Sequence, residues 1–189
     1  MKKTEIVGFK RANLGKKDAK ALRMDALVPC VLYGGSGDQI HFSAHMYLFR
    51  ELLFTPDVYK VEINIEGDIH FGILQDIQYH PVSDIILHAD FLEIVEGKEI
   101  KVDVPVKFTG AAPGVLAGGK LVQKLRKIKV QGLADNIPDF IEVPIVDLEL
   151  GKSVKVGNIE AKGFIILSNT SLPIATVEVP RALRGTLKA

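Results

Sequence analysis

Cysteine is almost absent. Cys30 is the single cysteine in 189 residues, so no intrachain disulfide can form. Its setting in Pro29-Cys30-Val31-Leu32-Tyr33 reads as a small buried strand residue rather than a nucleophile. A reducing cytoplasmic compartment fits this usage. No apolar run approaches the roughly 20 residues that a membrane helix needs. The opening Met1-Lys2-Lys3 meets Glu5, Lys10 and Arg11 before any apolar stretch long enough for a secretion signal. Neither membrane insertion nor secretion is expected. A nucleotide phosphate loop is missing too. Gly15-Lys16-Lys17 lacks the glycine spacing upstream of the lysine, and Gly34-Gly35-Ser36-Gly37 follows a strand without opening a helix, so both read as turns. No internal repeat and no Ser or Cys nucleophile pattern accompany them. Taken alone, the formal net charge of +1 argues against a polyanion as partner.

The distribution of charge says more than its sum. Residues 1–23 hold eight Lys and Arg against two acids, residues 24–100 hold three against thirteen, and residues 101–189 hold thirteen against eight. A basic start, an acidic middle and a basic end follow. Carboxylates of the middle segment would repel phosphates unless they face away, meet base edges or meet bound cations. With 47% hydrophobic and 25% charged residues, the chain can bury a core in one large or two small domains.

Period-2 alternation and β-branched residues dominate, which predicts a mostly β fold. Residues 58–65 and 69–74 read as a hairpin about Glu66-Gly67-Asp68. Further strands are expected at 5–10, 30–33, 40–43, 77–80, 86–93, 100–109, 120–131, 141–146, 153–156 and 174–179. Two short helices are expected. Residues 16–26 contain good helix formers with too few apolar positions for a buried face. Residues 44–53 follow Ser43 as N-cap and carry Met46, Phe49, Leu52 and Leu53 as a core stripe. The polar break Val95-Glu96-Gly97-Lys98 divides the chain into residues 1–95 and 96–189.

Two segments carry chemistry. The first is the basic run Lys10, Arg11, Lys16, Lys17, Lys20 and Arg23, where Lys16 and Lys20 share a helical face and Arg23 lies three residues beyond Lys20. Such a stripe suits phosphates, though a solvated helix that only keeps the chain soluble fits the same residues. The second comprises Gln75-Asp76-Ile77-Gln78-Tyr79-His80 and His88-Ala89-Asp90-Phe91. Alternation puts His88 and Asp90 on one face, and Asp76, Gln78 and His80 likewise share a face, with Gln75 opposite unless a bulge re-aims it. Directional donors and acceptors beside a cationic stripe suit a nucleic acid. An ordinary half-solvated sheet with a hydrogen-bonded His–Asp pair fits as well. His80, His88, Asp76 and Asp90 are also metal-ligand types, and His41 and His45 are four apart, but no tight ligand motif joins them, so a small metal-dependent hydrolase is the weaker reading. A generic RNA-binding β-barrel is a further alternative.

Several segments in order resemble one family. They are Arg11-x3-Gly15-Lys16 leading to Leu22-Arg23, then Val28 to Gly35, then Gln75-x2-Gln78-x-His80-Pro81 and His88 to Phe91, followed by Val104-Pro105-Val106, Gly110-x3-Gly114, Gly118-Gly119 and Asn136 to Val143. The chain resembles bacterial large-subunit ribosomal protein L twenty-five in its long two-domain form, also called the general stress or CTC form. The resemblance implies a six-stranded β-barrel-like N-terminal domain that binds 5S rRNA at its loop E region, followed by a second β-rich domain. It implies no catalysis, no cofactor and no metal. By motif position it implies Arg11, Lys16, Lys20 and Arg23 as backbone contacts, and Tyr33, Gln75, Gln78, His88 and Asp90 as groove and base-edge contacts. His80 and Asp76 follow as weaker candidates. The partners implied are 5S rRNA and the large ribosomal subunit, in the cytoplasm. Contacts of the second domain with other ribosomal components stay open, as does the role of the second basic stretch, Lys120, Lys124, Arg126, Lys127 and Lys129. The chain departs from the family pattern at Asn13, where an acid is common, at Ala26, where glycine is common, and at Tyr79, where a basic residue is common.

Overall fold

The structure is a computed structural model that describes residues 1–35, 37, 39–161 and 163–180. Ser36, within the turn expected at residues 34–37, lies outside them. The chain divides into two compact units, Met1–Ile100 and Lys101–Ala189.

Unit 1 is a closed six-stranded barrel. Its strands are β1 (Lys2–Lys10), β2 (Leu27–Tyr33), β3 (Ile40–His45), β4 (Tyr59–Ile65), β5 (Asp68–Tyr79) and β6 (Ile86–Glu93), in the order β1-β3-β2-β6-β5-β4. Parallel pairing of β1 with β4, from Lys2↔Tyr59 to Gly8↔Ile65, closes the ring. Alternation sends Ile6, Cys30, Leu32, Phe42, Ala44, Val61, Ile63, Ala89 and Phe91 inward, and each is fully or almost fully buried. The rings of Phe42 and Phe49 lie 5.8 and 6.2 Å from that of Phe91, so three aromatic side chains fill the lumen. Gly8 makes room for this cluster, because a Cβ there would sit 2.6 Å from the Phe42 ring.

Local chemistry explains where the elements differ from expectation. The hairpin turns through Glu66 and Gly67, both at positive φ, with Asn64 Oδ1 accepting from the Gly67 N–H at 3.0 Å. Two positive-φ central residues match the twist of the flanking strands. Residues 77–80 do not form a separate strand: β5 runs unbroken from Asp68 to Tyr79, with its register shifting between Leu74 and Asp76. Ser43 is not a helix cap. It belongs to β3, where it pairs with Pro29 and Phe9, and its hydroxyl donates to the Phe9 carbonyl. The helix expected at 44–53 is therefore shorter. Residues 46–49 make a 3₁₀ turn and α2 spans only Arg50–Phe54. Pairing with β1 and β2 on both sides of Ser43 outweighs a single side-chain cap. Phe49 still reaches the core, with Leu52 and Leu53 against it.

The first helix, α1 (Lys16–Met24), buries no residue completely. Its chain exits through Ala26, which is held at φ 57° while its carbonyl accepts the Met46 N–H at 3.0 Å. This left-handed conformation costs a non-glycine residue about 1–2 kcal/mol.

Unit 2 is also β-rich. Its strands are β7 (Glu99–Thr109), which begins just ahead of the boundary, β8 (Lys120–Gln123), β9 (Lys127–Leu133), β10 (Ile141–Pro144), β11 (Ser153–Lys155), β12 (Ile165–Ile166) and β13 (Pro173–Glu178), with the short helix α3 (Pro113–Leu116) and 3₁₀ turns at 134–136 and 156–158. They form a sheet in the order β10-β7-β9-β12 and a second in the order β11-β13-β8. The single strand expected at 120–131 is two strands in different sheets. Lys124 and Leu125 both donate to the Ile174 carbonyl, and Arg126 accepts from Val106, so the chain leaves one ladder and joins the other. No glycine or proline marks that corner in the sequence.

Replacing Ala26 with Gly relieves the left-handed strain at the cost of greater unfolded-chain freedom. The expected net effect is stabilisation by about 0.5–1 kcal/mol, read as a raised urea midpoint at unchanged slope.

Candidate nucleic-acid interface

β5, β6 and β2 lie side by side in the barrel, and their outward residues form one polar face. Asp76 pairs with Asp90 and Gln78 with His88 across β5 and β6, while Val31 and Tyr33 of β2 lie beside Asp90 and Leu92 of β6. The bulge between Leu74 and Asp76 leaves Gln75 unpaired and exposed next to this row. Thus Tyr33, Gln75, Gln78, His88 and Asp90, drawn from three strands, converge with Asp76.

The geometry gives each group a defined role. His88 Nδ1 lies 2.6 Å from Asp90 Oδ1, a bond in which the imidazole donates. The carboxylate therefore fixes the tautomer and leaves Nε2 as the outward-facing atom. Asp76 Oδ1 accepts the Ile77 N–H at 2.8 Å, which holds that side chain against its own strand. Two carboxylates directly opposite each other are mutually unfavourable, so this part of the face favours a partner that brings donors or positive charge. Their field is felt at Tyr33, whose phenol is pushed up by burial, then by Asp90 and Asp76. Inside the barrel, burial chiefly, with Asp90 adding to it, pushes the Cys30 thiol far up, in keeping with an inert core residue.

The basic run separates into two kinds of residue. Lys16, Lys17 and Lys20 are exposed on α1. The two arginines are engaged internally. Arg11, whose side chain is 9% exposed, donates from Nη2 to Asp18 Oδ2 at 2.8 Å and to the Asn13 carbonyl at 3.4 Å. Arg23 donates from Nε and Nη2 to the Leu87 carbonyl at 3.0 and 2.8 Å. A helix with no fully buried residue is thus fastened at both ends by guanidinium groups, and Arg23 anchors it to the strand that carries His88 and Asp90.

His80 is occupied in a turn. Its Nδ1 accepts from the Val82 and Ser83 N–H groups at 3.4 and 3.3 Å, and its backbone pairs with Ile85 and Asp84. His41 and His45 both belong to β3, where His45 stacks on Tyr47, so no strand-to-helix transition separates them. Among the described residues no three His, Cys, Asp or Glu side chains are placed to hold a metal ion together. The second basic stretch divides between the two sheets of unit 2. Lys124 pairs with Glu178 at 3.1 Å, while Lys127 and Lys129 alternate outward from β9.

The sequence is similar to those of known proteins. Residues 6–91 match the model of the Ribosomal L25p family, and residues 99–181 match that of the ribosomal protein TL5 C-terminal domain. A protein of Cytophaga hutchinsonii named large ribosomal subunit protein bL25 is 47% identical, with 97% of this chain and 95% of the relative aligned. This chain belongs to the ribosomal L25p family. Proteins of the same name from Amoebophilus asiaticus and Porphyromonas gingivalis are 48% and 40% identical, each with at least 94% of both chains aligned. The two family models meet the two units in turn, so membership extends to the long, two-domain form that the motifs suggested. Within the described residues no helix is long and apolar enough to cross a membrane.

Arg23→Ala leaves the Leu87 carbonyl without its charged donors and is expected to lower stability by about 1–3 kcal/mol. Lys20→Ala, on an exposed face, is expected to change stability by less than about 0.5 kcal/mol. Urea unfolding of both variants tests the distinction. Separately, Asp90→Asn is expected to bring the Tyr33 phenol part of the way down towards its ordinary value, with the shares due to burial and to Asp76 remaining. Spectrophotometric titration of the tyrosines, with Tyr33→Phe as reference, measures this.

Proposed function

We propose that this chain is a protein of the large ribosomal subunit whose residues 1–95 bind 5S rRNA at loop E and whose residues 96–189 form a second, non-catalytic domain. The observation that carries the reading is the outward row Tyr33, Gln78, His88 and Asp90, with Gln75 at a bulge beside it and the lysines of α1 fastened to the same strand through Arg23. Family membership and the names of the relatives support the ribosomal setting in the cytoplasm.

The chemistry of the face suits an irregular RNA. Regular A-form RNA keeps its base edges in a deep, narrow major groove, whereas a loop of non-Watson–Crick pairs alters the groove and offers edges to a rigid strand. His88 Nε2, with its tautomer set by Asp90, accepts from an amino group or a 2′-hydroxyl. Asp76 and Asp90 suit exocyclic amino groups or the water of a bound cation, which gives these two acids a reason to face RNA. Gln75 and Gln78 both donate and accept. Lys16, Lys17 and Lys20 neutralise phosphates. Arg11 and Arg23 act as positioning residues that hold the helix where those lysines are useful.

Binding of the full chain to 5S rRNA with an intact or a disrupted loop E, at fixed salt and magnesium, is the direct test. Affinity is expected to require loop E and to fall by about 1–3 kcal/mol in His88→Ala. Lys20→Ala is expected to weaken binding to every RNA alike and to reduce the salt slope by about one. Equal, weak binding to all RNAs would sink the specific reading.

A further inference from the structure

One cleft of unit 1 is not used by the polar face. It has a volume of about 660 Å³ and lies at the end of the barrel where β3, α2 and the β5–β6 turn meet, with Tyr47, Arg50, Phe54, Tyr79, Asp84 and Ile86 in its lining. Its aromatic residues are left open: Tyr47 is 71% exposed, Phe54 82% and Tyr79 45%. Exposed apolar surface gathered in one concavity marks a binding site more often than chance.

We propose that this cleft receives one unstacked base of the RNA bound by the polar face, an inference that rests on the RNA-binding reading. Three observations favour a nucleobase. The Tyr47 ring stacks on that of His45 at a tilt of 28°, with centroids 5.6 Å apart, and Tyr47 stays 71% exposed, so its surface is open to a further planar ring. The cleft also lies next to the polar face along the same two strands. Tyr79 and Ile86, which line it, pair at the end of the β5–β6 ladder, one register shift beyond Gln78↔His88, so a base unstacked from RNA on that face has a short way to the cleft. Lastly, the polar groups match. Arg50 supplies a cation for the adjoining phosphate, and Asp84 accepts from an exocyclic amino group, such as those of adenine, guanine and cytosine. Base–aromatic stacking with a cation nearby is a recurring way to hold unpaired nucleotides.

The full chain is titrated with 5S rRNA carrying 2-aminopurine singly at its unpaired positions. One position is expected to change its fluorescence on binding. Tyr47→Ala is expected to abolish that change and to weaken binding roughly 5- to 150-fold, the range for loss of one base–aromatic stack, and Tyr47→Phe to restore both. Tyr47 and Phe54 are exposed, so unchanged circular dichroism and melting temperature certify the variants. Affinities of Tyr47→Ala and Phe54→Ala within about twofold of the unmodified chain, while His88→Ala still weakens binding, overturn the cleft inference and leave the RNA reading standing; the cleft then fits an apolar side chain of a protein partner. Failure of the unmodified chain to prefer an intact loop E overturns both.

Discussion

Closure of the barrel by the parallel β1–β4 pairing is the constraint on which the rest of unit 1 depends. A closed sheet has no free edge, and every strand must present alternate residues to a lumen only wide enough for side chains. Phe42, Phe49 and Phe91 fill that lumen, and the missing side chain at Gly8 lets Phe42 occupy it. Once Ala89 and Phe91 are committed inward, His88 and Asp90 have no choice but to face out. The same logic turns Gln78 and Asp76 outward on β5 and Tyr33 outward on β2. A polar face assembled from three strands is thus a by-product of packing a hydrophobic centre, and its rigidity comes from that centre rather than from bonds within the face.

The helix α1 solves a different problem. With no fully buried side chain, it draws little from the hydrophobic effect, and an isolated helix of this length is marginal in water. Two arginines supply what packing does not. Arg11 ties the first turn through Asp18, and Arg23 ties the last turn to the Leu87 carbonyl with a two-pronged, charge-assisted grip. The lysines are thereby free to stay solvated on the outer side. The acidic character of residues 24–100 becomes intelligible at the same level. Glu93 meets His70 and Asp57 meets Lys2, and the two carboxylates that do lie on the polar face, Asp76 and Asp90, are held by an amide and by an imidazole.

Several features could be read from the chain alone because they depend on neighbours in sequence. Alternation along 58–65 and 86–93 specified strands and their faces, the His88–Asp90 pairing followed from a two-residue period, and the helix expected at 16–26 followed from propensity, although it stops at Met24 and Ala26 turns left-handed. Glu66-Gly67 marked a tight turn by composition. The family resemblance rested on spacing of the same local kind. Other features were not local. Ser43 has the chemistry of a cap, yet ladders on both sides claimed it for β3. Arg11 and Arg23 were legible as part of a basic run, but their partners within the chain, Asp18 across a loop and a carbonyl 64 residues away, can be found only when the chain is folded.

The sequence by itself determined the β character, the core faces of most strands, the chemical nature of the polar residues and the family. Tertiary structure alone decided which polar residues meet. The bulge beside Gln75 is a property of β5 against β6, the division of residues 120–131 is a property of two sheets competing for one segment, and the aromatic cleft exists because α2 and the β5–β6 turn end at the same rim of the barrel. Side-chain period and propensity act over a few residues and are written in the chain. Register, closure and the fate of a guanidinium group are set by partners distant in sequence, whose positions no local pattern encodes.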